Sequence, residues 1–188
     1  MENIILVDES DNEIGAEEKL KVHKEGKLHR AFSVLIFKDY KSNEKQEMLI
    51  HKRAVSKYHC PGLWTNACCS HPAPGENILD AAKRRLKEEM GIDCDEYNIS
   101  LKEIFAFKYK IKFENGLTEH EFDHVLVGYL DKSEEEGEKD ININPDKNEV
   151  EEYRWMSIDE LKKDIQTNPK DYTFWFKEIM KRLTMNEP

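Results

Sequence analysis

Glu119 and Glu121 stand two residues apart, so in a strand both carboxylates leave the backbone on the same face. Burying both without a cation would be costly, and a bound metal removes that cost. Arg85 and Glu89 lie one helical turn apart and point the same way. Two readings fit them equally: a surface ion pair, or a guanidinium fork at an anion site. With 29 basic against 39 acidic residues the formal net charge is −10, so any anionic ligand needs a local cluster of Lys and Arg. The four cysteines, Cys60, Cys68, Cys69 and Cys94, form neither a CxxC pair nor a disulfide framework. The adjacent Cys68 and Cys69 suit a reducing cytosol. A lone cysteine is most often a small buried hydrophobe.

The elements that must carry these residues follow from local pattern. Residues 31–37 form a compact apolar run, and after a polar turn at 38–45 residues 48–53 read as its hairpin partner. Residues 54–75 hold Pro61, Gly62, Pro72, Pro74 and Gly75 and read mostly as loop. From Glu76 to Met90, apolar positions Ile78, Ala82, Leu86 and Met90 recur every four residues, predicting a helix capped by Gly91. Phe105, Phe107, Tyr109, Ile111 and Phe113 alternate with Ala or Lys, a strand with one buried face, and residues 117–130 return as its partner. Residues 131–149 read as an acidic surface loop and 150–156 as a strand. Ser157-x-x-Glu160 opens a helical tail through a capping box. The order is α+β, with antiparallel hairpins and few helices, in a single domain over 1–188.

The stretch from Ser70 to Ile92 resembles the Nudix box, G-x5-E-x7-R-E-U-x-E-E-x-G-U with U aliphatic. Glu76, Arg84, Leu86, Glu88, Glu89, Gly91 and Ile92 fall in register, while Ser70 replaces the first Gly and Arg85 replaces a Glu. In a Nudix hydrolase the helix carboxylates gather divalent cations that activate water against a diphosphate. A cation in place of one carboxylate suits holding a diphosphate rather than cutting it. Leu28-His29-Arg30-Ala-Phe-Ser33, Lys52-Arg53-Ala-x-Ser56-Lys57, Trp64-Thr-Asn66, Cys69-x-His71-Pro72 and Glu119-x-Glu121 occur in that order. This set resembles the type I isopentenyl-diphosphate isomerases over about Lys19 to Trp175. The resemblance implies a Nudix-type fold, mixed β-sheets packed with helices, with its core at about 19–175. The implied activity interconverts isopentenyl and dimethylallyl diphosphates in isoprenoid biosynthesis.

Roles follow from the same resemblance. Cys69 and Glu121 match the catalytic pair, and Tyr109 and Trp175 match aromatic residues near the reacting carbons, where ring faces stabilise a passing cation by roughly 1–2 kcal/mol. His23, His29, His71, Glu119 and Glu121 match the family's metal set. One divalent metal is expected there: zinc, manganese or magnesium, with imidazole favouring the first two, or iron, over bare magnesium. Taken singly, His29 or His71 is more often a hydrogen-bonded structural histidine, and His51, His59, His120 and His124 keep that reading. Glu89 matches the ligand of a magnesium ion carried by the substrate diphosphate. Lys19, Arg53, Lys57 and Arg85 match the diphosphate-binding cations, with Lys21, Lys52 and Arg84 as solvated neighbours.

The loop Glu114-Asn115-Gly116 decides whether that site can exist. A two-residue Asn-Gly turn would pair Tyr109 with Phe122 and send Glu119 and Glu121 away from the aromatic face. A three-residue loop with Gly116 left-handed would pair Tyr109 with Glu121 and gather Tyr109, Ile111, Glu119 and Glu121 on one face. The catalytic reading requires the second.

The acidic charge argues against a general nucleic-acid binder. No run approaches the ~18 apolar residues of a membrane helix, and the first residues lack the flank of a signal peptide. The expectation is a cytoplasmic monomer acting on a small isoprenoid diphosphate, with neither nucleic-acid nor membrane partners. Two competitors remain: a Nudix hydrolase of a nucleoside diphosphate derivative, which would want the carboxylate that Arg85 replaces, and a non-catalytic metal-binding protein on the same fold.

Overall fold

The computed structural model describes residues 2–39, 46–131 and 141–185, and among them nine strands share one mixed sheet. Asn3–Val7 (β1) and Glu13–Glu18 (β2) pair as a hairpin, and Lys19–Glu25 (α1) follows directly. The Glu18 carboxylate caps the first amides of α1, and Gly26, left-handed at φ 65°, ends it. His29–Asp39 (β3) pairs antiparallel with Glu47–Arg53 (β4), as the two apolar runs predict. Residues 40–45 of the expected turn lie outside the described residues.

The segment expected to be mostly loop contains two short strands, Trp64–Asn66 (β5) against β4 and Cys68–Ser70 (β6) against β3. Three residues carry too little periodicity to be legible, and their ladder bonds go to partners far away in sequence. Ile78–Met90 (α2) starts two residues later than expected, because Asn77 caps it by accepting from Leu79 N at 2.8 Å. Glu76 stays outside the helix, its carboxylate held by Ala73 N at 2.9 Å and Arg84 Nε at 2.7 Å. Gly91 ends α2 at φ 72°, as expected.

Lys102–Lys112 (β7) and Thr118–Asp131 (β8) form the long hairpin. Phe113 N donates to Leu117 O at 2.8 Å, Gly116 N donates to Phe113 O at 3.0 Å, and Gly116 has φ 84°. The loop is the three-residue form, and Tyr109 faces Glu121. The antiparallel reading needs one correction: β8 runs parallel to β3, from His29 opposite Glu121 to Asp39 opposite Asp131. The apolar run at 31–37, broken only by Ser33, is the mark of such a central strand, buried on both faces.

Val150–Ser157 (β9), Ile158–Thr167 (α3), a 3₁₀ turn at Pro169–Asp171 and Phe174–Met185 (α4) complete the order. Ser157 caps α3, with Glu160 accepting from its hydroxyl at 2.6 Å. Of the expected surface loop, 132–140 lie outside the described residues, while 141–149 dock on the end of α2. Asn144 N donates to Met90 O at 3.1 Å, Asp146 N donates to Glu89 O at 3.0 Å, and Ile143 is buried. One face of the sheet packs Val34, Leu49 and Leu126 against Leu86 and Met90 of α2. The other packs Leu35, Ile50 and Val125 against Leu161 of α3 and Trp175, Phe176 and Ile179 of α4.

Candidate active site

Four elements converge where β3 begins. His23 comes from α1, His29 from the first position of β3, His71 from the residue after β6, and Glu119 and Glu121 from β8. One ligand-capable atom from each lies within 4.8 Å of all the others, and all five residues are buried. His23 Nδ1 donates to Lys19 O at 2.6 Å and His29 Nδ1 donates to Lys27 O at 2.9 Å. Those bonds turn the Nε2 lone pairs toward carboxylate: His23 Nε2 lies 3.2 Å from Glu119 Oε2. His29 Nε2 lies 3.6 Å from Glu121 Oε1 and has no hydrogen-bond partner. A lone pair aimed at an anionic oxygen needs a proton or a cation between them. Imidazoles oriented by backbone carbonyls, beside carboxylates, are the usual surroundings of a divalent ion, so the residues present fit one.

The two carboxylates are not equivalent. Burial and the Glu121 charge push the Glu119 carboxyl up despite His23. Burial also opposes ionisation of Glu121, but the adjacent imidazoles of His29 and His71, the latter at 3.1 Å, outweigh it and hold its carboxyl well below the usual range. Tyr109 OH donates to Glu121 Oε2 at 2.7 Å, and burial raises that phenol well above its ordinary value.

Cys68 and Cys69 leave β6 on opposite faces, as an extended segment requires. Cys68 is fully buried against α2, whereas Cys69 reaches the cavity that Tyr109, Glu121 and Trp175 also line. The Cys69 thiol donates to Asn66 Oδ1 at 3.0 Å and accepts from Trp175 Nε1 at 3.0 Å. The Asn66 amide cannot turn round, because its Nδ2 donates to Val34 O at 3.1 Å and Cys68 O at 2.8 Å. Burial pushes the Cys69 thiol up to about 12, so it stands as a neutral proton donor.

Lys19, Arg53, Lys57, Arg85 and Glu89 line the same cavity. Arg85 meets both readings of its helical position, bonding Glu89 Oε1 through Nη2 at 2.7 Å while facing the cavity. Arg53 donates to His59 O at 3.2 Å and lies 5.5 Å from the centre of the Trp175 ring. Lys21, Lys52 and Arg84 lie in surface pairs with Glu17, Glu151 and Glu76.

Eleven of the thirteen site residues expected from the sequence line one cavity, and the other two, His23 and His29, are buried behind it in the cluster with His71, Glu119 and Glu121. One histidine departs from its structural reading: His59 Nε2 lies 3.1 Å from Glu119 Oε1, and its ring lines the cavity. It comes from an irregular loop beside Cys60 at φ 48°, where no spacing pattern could mark it. His120 and His124 keep structural partners, Gly26 O at 3.0 Å and the carboxylates of Asp11 and Glu103 at 3.0 and 3.1 Å. Asp123 was also missed. It extends the Glu119, Glu121 face, is buried, and accepts from Ser33 Oγ at 2.9 Å.

The family model described as NUDIX domain matches residues 27–176. Isopentenyl-diphosphate Delta-isomerase 2 of Aromatoleum aromaticum is 42% identical over 182 residues, covering 97% of this chain and 86% of the relative. Isopentenyl-diphosphate Delta-isomerase of Pectobacterium atrosepticum is 43% identical over 180 residues, covering 96% and 90%. A crystal structure from Deinococcus radiodurans superposes with TM-score 0.72 at 17% identity, covering 96% of this chain and 98% of that one, a likeness of fold alone.

Proposed function

This chain belongs to the NUDIX domain family, among its isopentenyl-diphosphate Delta-isomerases, and from that membership we infer that it interconverts isopentenyl and dimethylallyl diphosphates. The reaction protonates one alkene carbon and removes a proton two bonds away, passing through a tertiary carbocation. It requires an acid and a base on either side of a dry cavity, with no nucleophile free to trap the cation. The observation that carries the reading is the shared cavity of Cys69 and the Tyr109–Glu121 pair. A neutral thiol can donate, and an ionised carboxylate can accept. In the reverse direction they exchange roles.

Tyr109 holds Glu121 in place through its hydroxyl. Trp175 reaches Cys69 through its N–H, so the indole orients the sulfur as well as offering a ring. His23, His29, His71, Glu119 and Glu121 would hold one divalent metal, zinc, manganese or magnesium, which when bound supplies positive charge that keeps the paired carboxylates ionised. Lys19, Arg53, Lys57 and Arg85 bind the diphosphate, and Glu89 would hold the magnesium that accompanies it. The protein acts as a monomer in the cytoplasm, and among the described residues no helix is long and apolar enough to cross a membrane.

Incubation with isopentenyl diphosphate, magnesium and a reductant should yield dimethylallyl diphosphate, read by proton NMR. Failure with the metal supplied would leave a non-catalytic metal-binding role. Phosphate release from a nucleotide panel, without isomerisation, would favour hydrolysis instead.

A further inference from the structure

Three of the four cations assigned to the diphosphate already hold a carboxylate. Lys19 Nζ lies 3.2 Å from Glu2 Oε2, Arg85 Nη2 lies 2.7 Å from Glu89 Oε1, and Lys57 Nζ pairs with Glu149 Oε2. Arg53 alone of the four has no carboxylate partner among the described residues; its fork meets the His59 carbonyl and ring. Glu149 differs from the other two partners because it spans two cations. Its second oxygen, Oε1, lies 3.7 Å from Arg85 Nη2, so one carboxylate addresses both Lys57 and Arg85. A phosphate oxygen pair would address them in the same way.

The backbone places this carboxylate firmly. Ala54 N donates to Glu149 O at 2.9 Å, and Glu149 N donates to Asp146 O at 2.9 Å. Asp146 N is in turn bonded to Glu89 O at 3.0 Å, on the end of α2. The Glu149 side chain is about a quarter exposed, so its charge is screened only in part.

We propose that Glu149 is a specificity-determining residue, an internal counter-ion to Lys57 and Arg85 that makes the cavity select the metal complex of a diphosphate over the metal-free anion. The inference rests on the assignment of Lys57 and Arg85 to the diphosphate. With Glu2, Glu89 and Glu149 in place, most of the positive charge is already matched. A bare diphosphate then brings excess negative charge, whereas its magnesium complex brings two charges fewer. Removing the Glu149 charge should therefore favour the bare anion most.

The test is calorimetric binding of inorganic diphosphate to the full-length protein, with magnesium or with no divalent ion added to the diphosphate, for the unaltered chain and Glu149→Gln. The amide keeps size and shape and leaves the backbone bonds untouched; a thermal melt checks folding, and Glu149→Asp, which keeps the charge, is the second variant. Glu149→Gln should bind metal-free diphosphate at least tenfold more tightly, with the magnesium complex changed less than threefold, and Glu149→Asp should behave as the unaltered chain. Unchanged or weaker metal-free binding by Glu149→Gln overturns the proposal, and so does an equal gain for both forms of the anion. If the unaltered chain binds neither form, the assignment of the cations fails instead.

Discussion

Tyr109 stands directly opposite Glu121 in the β7–β8 ladder, and its hydroxyl donates a 2.7 Å hydrogen bond to Glu121 Oε2. The pairing exists because the hairpin loop has three residues. With one residue fewer, Tyr109 would sit opposite Phe122 and Glu121 would face away from the aromatic side. Gly116 at φ 84° provides the left-handed position that this loop needs, and Asn115 locks it by accepting from Leu117 N at 3.1 Å.

Replacing Tyr109 by Phe removes the donor and leaves the ring. A hydrogen bond to a charged group is worth about 1.5–3 kcal/mol, so kcat should fall roughly tenfold to a hundredfold while KM stays within about threefold. Steady-state kinetics on isopentenyl diphosphate measure this, and an unchanged kcat would remove Tyr109 from the reaction.

The two adjacent cysteines should separate cleanly. Cys69→Ala should lower kcat by about a thousandfold, the scale of losing a positioned acid. Cys68→Ala should keep most activity and lose roughly 1–2 kcal/mol of stability, since that side chain only fills the core beside α2. Comparable losses of activity in both variants would contradict the opposed faces of β6.

Metal should stabilise the fold as well as serve the reaction. At a free concentration of a hundred times Kd, a ligand specific for the folded state adds about 2.7 kcal/mol. Chelator-treated protein should melt several degrees lower and recover on addition of zinc or manganese. His29→Ala should abolish most of that recovery, because its Nε2 is an orphan in the cluster. A melting temperature indifferent to chelator would place no metal there.

Tyr172 OH donates to Asp164, tying the turn before α4 to α3. That bond, with one from Asn168, holds the Asp164 carboxyl below its ordinary value. A carboxyl lowered in the folded state contributes stability above its unfolded value, near 3.9, and that contribution is lost as pH falls through the folded value. Tyr172→Phe should cost about 1 kcal/mol at pH 7, and the gap to the unaltered chain should narrow below pH 4. Denaturant melts at both pH values decide it, and a gap that widened in acid would contradict the bond.

What the sequence determined by itself was what short-range pattern can encode. Alternation placed Glu119, Glu121 and Tyr109 on a strand, a four-residue period placed Arg85 and Glu89 on one helix face, and ordered motifs singled out Cys69 over Cys68. Even the hairpin register was reduced to two choices, although Asn-Gly alone favoured the wrong one. Tertiary structure decided the rest. The parallel pairing of β3 with β8 brings His29 beside Glu121 from 92 positions away, and no local period records such a partner. His59 and Glu149 enter the site from irregular backbone, where position is set by contacts with Arg53, Ala54 and the end of α2 rather than by propensity. Spacing along a chain fixes which side chains share a face, while packing free energy, summed over residues distant in sequence, decides which faces meet.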